Sequence, residues 1–150
     1  MTEIGRPDVT VAAVIEQAGR FLFVEEQAGE AIVLNQPAWH WEADETLTEA
    51  AIRETLEETG YHFQPTSLVG IYRWPHPDLP IVYLRFAFCG TVLGHDADRE
   101  LDAGILRALW LTPDELRAQA TRHRSPLVMR CLEDYLAGKR YDLDLLTHFT

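Results

Sequence analysis

The chain has 150 residues, of which 47% are apolar and 25% charged. That is long enough to bury a core in one domain spanning residues 1–150, with the composition of a soluble globular protein. A net charge of −11 excludes a basic groove for a nucleic-acid polymer, because phosphate backbones are held by clustered Lys and Arg. No apolar run approaches the ~20 residues of a membrane span, and the start does not read as a secretion signal. A cytoplasmic monomer or homodimer is expected. Cys89 and Cys131 have neither metal-ligand spacing nor a disulfide framework and read as small buried apolar residues.

Val9 to Ile15 alternates and is rich in β-branched residues, and Arg20 to Glu25 repeats the pattern after Gln17-Ala18-Gly19, which predicts a hairpin. Ile32-Val33-Leu34 is a short strand leading into an irregular stretch, Asn35 to Glu45. Thr46 to Thr59 is a helix with both ends marked. Thr46 and Glu49 form a capping box, and Gly60 stands where a left-handed C-terminal cap is wanted. Leu68 to Trp74 and Ile81 to Val92 read as strands around a loop carrying Pro75, Pro77 and Pro80, and Ala108 to Leu111 is another. Thr112-Pro113-Asp114-Glu115 opens a helix, and Ser125-Pro126 opens a last one that Gly138 closes. Strands mixed with few helices, out of strict alternation, predict an α+β or mixed-sheet fold.

On a helical wheel, Leu47, Ala50, Ala51, Glu54, Glu57 and Glu58 fall on one stripe. Its first half is small and apolar, and its second half is three carboxylates. Ile52 and Leu56 lie opposite, which predicts a helix covered on two faces. Two like charges 4 Å apart repel by about 4 kcal/mol at an effective dielectric near 20. Such a cluster therefore either faces water beside Arg53, raises its pKa values, or grips a hard cation such as Mg²⁺.

Glu45, then seven residues, then Arg53-Glu54-Thr55-Leu56-Glu57-Glu58-Thr59-Gly60-Tyr61 resembles the greater part of the Nudix box, here spanning residues 39–61. Asn35-Gln36-Pro37-Ala38, His40, Glu42 to Leu47, Trp74, Arg124 to Val128 and Gly138 to Tyr141 are similar to the NudJ-type phosphatase branch of that family. The resemblance implies a Nudix fold, a mixed β-sheet sandwiched between α-helices. It also implies a Mg²⁺-dependent phosphohydrolase, with Mn²⁺ as a substitute. Small phosphorylated substrates are implied: nucleoside di- and triphosphates, or pyrimidine- and thiamine-type pyrophosphates cleaved with phosphate release.

By the same resemblance, Glu57 and Glu58 are metal ligands and Glu54 is a further ligand or the general base. The backbone carbonyl of Ala38 adds an oxygen ligand, and Arg53 pairs with Glu45 in the catalytic machinery. Glu100 and Asp102 lie in a loop where the family often places an additional acid, with a solvated loop as the alternative. Arg6, Arg73 and Arg85 are candidates for a terminal phosphate, and His40 for phosphate contact. Tyr72, Trp74, Tyr83 and Trp110 are candidates for ring stacking, with core packing as the alternative for each.

The chain departs from the box at Trp39, where the pattern has Gly, at Trp41, where the subfamily has Leu, and more mildly at Thr55. A positive φ at position 39 would cost a side chain about 1–2 kcal/mol. Two other readings stay open: a MutT-like pyrophosphohydrolase of oxidised nucleoside triphosphates, and a Nudix metabolite-binding module with catalysis weakened by Trp39.

Overall fold

The computed structural model describes residues 6–149. The first hairpin pairs β1 (Asp8–Gln17) with β2 (Arg20–Ala28) through a turn in which Ala18 and Gly19 both take positive φ. β3 (Ala31–Asn35) follows, then β4 (Ala38–His40), α1 (Leu47–Thr59), β5 (Tyr61–Pro75), β6 (Val82–His95) and β7 (Ile105–Leu111). α2 (Pro113–Arg117) and α3 (Pro126–Leu136) come last. The sheet runs β3-β2-β1-β6-β5, and off this path β4 pairs with β1 and β7 with β2. β1 and β6 are parallel and the remaining pairings antiparallel. This is the mixed sheet expected from the sequence.

Alternation along β1 divides the core. Val11, Ala13 and Ile15 join Leu22, Ala50, Ala51, Phe63, Leu68 and Phe88 beneath α1. Ala12 and Val14 join Phe21, Phe23, Leu116, Val128 and Leu132 beneath α2 and α3. The sheet is therefore sandwiched between helices. Ala50 and Ala51 let α1 lie close to the sheet, and that contact fixes where its next turn delivers carboxylates. Both cysteines are buried and free. Among the described residues no helix is long and apolar enough to cross a membrane.

The ends of α1 form as the sequence predicts. Thr46 Oγ accepts the Glu49 N–H at 3.0 Å, and Glu49 accepts the Thr46 N–H at 2.8 Å. Gly60 sits at φ 77°, and a Cβ there would stand 2.8 Å from the carbonyl oxygen of Asp96. Four features differ from expectation. The stretch read as irregular contains β4, because Ala38 to His40 pair with Thr10 to Ala12 of the central strand. Ile52 is exposed, so α1 is not covered on that face. β5 begins at Tyr61 rather than Leu68, since register shifts around Pro65 and Ser67 scramble the alternation that marks a strand. Trp39 lies in β4 opposite Val11, and among the described residues Ala18 alone of the non-glycines has positive φ. The strain considered for position 39 is therefore absent.

Candidate active site

The carboxylates of α1 gather where its C-terminal turns meet β4 and the loop before β7. Arg53 ties this junction together. Its Nε and one terminal nitrogen donate to the two oxygens of Glu45 at 2.9 and 2.7 Å, a bidentate fork. The same guanidinium reaches Glu54 Oε1 at 2.6 Å, Glu57 at 3.4 Å and the carbonyl of His40 at 3.2 Å. One side chain thus fixes the entry loop, β4 and two helical acids. Its hydrogen bonds hold the Glu45 carboxyl below the usual carboxylate range.

Glu54 and Glu58 are almost fully buried. Burial is the main reason the Glu54 carboxyl is pushed up to about 7; Arg53 opposes it, and the charges of Glu57 and Asp102 add to it. Burial also holds Glu58 well above its ordinary value, against a hydrogen bond from Ala38 and with the charges of Glu54, Glu26 and Asp102 adding to the rise. The Ala38 N–H donates to Glu58 Oε1 at 2.9 Å. In an antiparallel ladder a residue's N–H and C=O share one edge. Val11 and Trp39 form the bonded pair, flanked by Ala13 to Pro37 and Trp41 to Val9. The carbonyl of Ala38 therefore also turns away from β1, toward the acids.

Both loop acids considered are exposed, but Asp102 joins the cluster and Glu100 does not. The Asp102 N–H donates to the Glu57 carbonyl at 3.0 Å in the last turn of α1. Glu54, Glu57 and Asp102 each bring a carboxylate oxygen within 4.8 Å of the others. Oε2 of Glu54 is buried and has no hydrogen-bond partner among the described residues. A buried unpaired carboxylate oxygen is costly, and a set of hard oxygen donors around it fits a divalent cation. Glu26 of β2, 8% exposed and paired with Arg124 at 3.1 Å, adds negative charge that the sequence did not single out. Its neighbours Glu25 and Gln27 are polar, so nothing local in the sequence marked it for burial.

A cavity of about 80 Å³ adjoins the cluster through Ala38. Trp39, Trp74, His76, Tyr83, Arg85 and Arg124 border it. Trp74 stacks on Tyr83 with ring centroids 5.8 Å apart, and the Arg124 guanidinium lies 5.5 Å from the Trp39 ring centre. Arg73, one residue from Trp74 on β5, is exposed and outside this lining. The His40 ring packs edge-on against Trp39, with one nitrogen 3.4 Å from Asp8. Arg6 is exposed. Tyr72 and Trp110 spend their polar atoms on Asp134 and Tyr61 at the margins of the two cores.

Comparison with known proteins agrees with this arrangement. The family model described as NUDIX domain matches residues 5–131. The chain is 40% identical to Phosphatase NudJ of Escherichia coli strain K12 over 144 residues, 96% of this chain and 93% of that protein. A solved NUDIX hydrolase from Nitrosomonas europaea is 54% identical, with a TM-score of 0.94 over 96% of this chain and 98% of its own. A MutT NUDIX hydrolase from Burkholderia pseudomallei, 20% identical, shares the fold at a TM-score of 0.73 over 87% of this chain and 98% of its own. With its acidic helix, mixed sheet and these relatives, the chain belongs to the Nudix family and is a hydrolase of phosphoanhydride bonds.

Proposed function

We propose that the chain works as one catalytic unit on small phosphorylated compounds. Its substrates are nucleoside di- and triphosphates or pyrimidine- and thiamine-type pyrophosphates, cleaved with release of phosphate. The observation that carries this reading is the buried, unpartnered Oε2 of Glu54 beside Glu57 and Asp102. A divalent cation there, Mg²⁺ or Mn²⁺, would be held by Glu54, Glu57, Glu58 and the Ala38 carbonyl, with Asp102 as a further carboxylate. When bound, it supplies neutralisation of charge on phosphate oxygens and lowers the pKa of an attacking water.

The side chains do the positioning. As general base, Glu54 would accept the proton of a water that attacks phosphorus while the bridging P–O bond breaks. Arg53 holds Glu54 and Glu45 in place through its short hydrogen bonds, and a group displaced by about 1 Å can cost roughly 10²-fold in rate. Trp74 and the aromatic wall of the adjoining cavity orient the organic part of the substrate, and His40 contacts a phosphate.

The test is a panel of nucleoside di- and triphosphates and pyrimidine or thiamine pyrophosphates incubated with Mg²⁺, with orthophosphate and pyrophosphate quantified separately. Orthophosphate released stepwise supports the proposal. Pyrophosphate with a nucleoside monophosphate instead identifies a MutT-like reaction, and no product from any compound overturns the proposed activity.

A further inference from the structure

Arg85 is one of the few charged residues buried in this protein, at 5% exposure. It lies near the start of β6, opposite Thr10 of β1, and lines the cavity that adjoins the acidic cluster. Its bonded partners are neutral. One terminal nitrogen donates to Gln36 Oε1 at 3.0 Å and to Cys131 Sγ at 3.8 Å, and the other donates to Asn35 Oδ1 at 3.1 Å. Nε is buried without a partner. Among the described residues no carboxylate forms an ion pair with it, whereas Arg124 at the same cavity is paired with Glu26.

A buried cation held only by neutral acceptors is expensive, and proteins ordinarily supply such a charge with a counter-ion. The surroundings add positive character. Ser125 and Leu127, the N-terminal cap and first turn of α3, border the same cavity, and a helix N-terminus favours an anion.

We propose that Arg85 is the receptor for a phosphoryl group of the substrate other than the one attacked. It supplies in the ligand the counter-charge that the fold omits. The phosphoryl sits on Arg85 beneath Trp74 and Trp39, and the adjacent anhydride extends past Ala38 to the carboxylates. Arg85 thereby selects substrates with two or more phosphoryl groups. This selective role rests on the cleavage reading above, but phosphate binding at Arg85 does not.

The experiment uses inorganic phosphate as the probe, on the metal-free protein in EDTA, with ionic strength held constant by chloride and acetate as the carboxylate control. Thermal melting and tryptophan emission are followed, since Trp39 and Trp74 border the cavity. Wild type should show saturable stabilisation and an emission change with phosphate and a weaker response to acetate. Arg85→Gln should weaken the phosphate response by about tenfold or more, as expected for loss of a hydrogen bond to a charged group.

Asn35→Asp gives a second variant that leaves Arg85 in place. It sets a carboxylate against the guanidinium, and should suppress phosphate binding to the same extent while the protein stays folded. Arg117→Gln, at an exposed position of α2, should respond as wild type. A wild type that ignores phosphate, or an Asn35→Asp protein that binds it undiminished, overturns the proposal. Neither result bears on whether the metal-loaded enzyme hydrolyses its substrates, so the two readings fail separately.

Discussion

Replacing Glu54 by Gln should stabilise the metal-free protein at alkaline pH while abolishing turnover. The Glu54 carboxyl rises from 4.5 to about 7 in the folded chain. At about 1.4 kcal/mol for each pH unit, its ionisation in place costs roughly 3 kcal/mol. The sign follows from proton binding. Between those two pH values the native state holds a proton that the unfolded chain has released, so stability falls as pH rises through the window. Glu58 shifts the same way. Glutamine removes the charge and keeps an oxygen for Arg53, now 2.6 Å from Oε1. It sacrifices the ionic part of that contact and leaves an amide N–H₂ where Oε2 has no partner. The net gain is therefore about 1–2 kcal/mol, or roughly 2–8 °C in Tm for a chain of this size.

The assay is thermal melting of both proteins in EDTA from pH 5 to 8.5, then again with excess Mg²⁺. The difference in Tm should be near zero at pH 5 and grow to its full value by pH 8.5. Mg²⁺ should reverse the order, because ligand binding stabilises the native wild type. A variant less stable than wild type at pH 8.5 in EDTA, or a difference independent of pH, would refute the argument that a buried, undercompensated carboxylate waits at this position.

Three further outcomes are expected. Arg53→Lys loses the planar fork on Glu45 and should lower kcat by about 10²-fold, with metal affinity by calorimetry changed less than the rate; equal kcat would remove Arg53 from the positioning role. Asp102→Asn should weaken Mg²⁺ or Mn²⁺ binding by about tenfold in a titration, while the Glu100→Asn protein, altered at an exposed site, binds as wild type. Trp39→Gly should raise KM by about two- to tenfold through loss of about 0.5–1.5 kcal/mol of ring contact and lower stability by about 0.5–1 kcal/mol for a glycine in a strand. If kcat instead rises sharply at constant KM, Trp39 obstructs the chemistry rather than binding the substrate.

The sequence by itself determined what is local or periodic. The caps of α1 are short-range hydrogen bonds between Thr46 and Glu49, and helical geometry alone places Glu54, Glu57 and Glu58 near one another on the side that begins with Ala50 and Ala51. The spacing of the box therefore identified the acids and their helix. It also led to the hairpin and the mixed sheet, because alternation and turn chemistry act over a few residues. What only the tertiary structure decided depends on partners far apart in the chain. β4 exists because Ala38–His40 find β1, and that pairing relieves the backbone concern at Trp39. Asp102 rather than Glu100 reaches the cluster because its backbone docks on the end of α1. Arg85 stood with Arg6 and Arg73 as one of three candidates for a terminal phosphate; only the sheet buries it, with Asn35 and Gln36 brought from 50 and 49 residues away. Charge compensation is a property of the folded neighbourhood, so no reading of residue order could reveal that, among the described residues, no carboxylate pairs with this guanidinium.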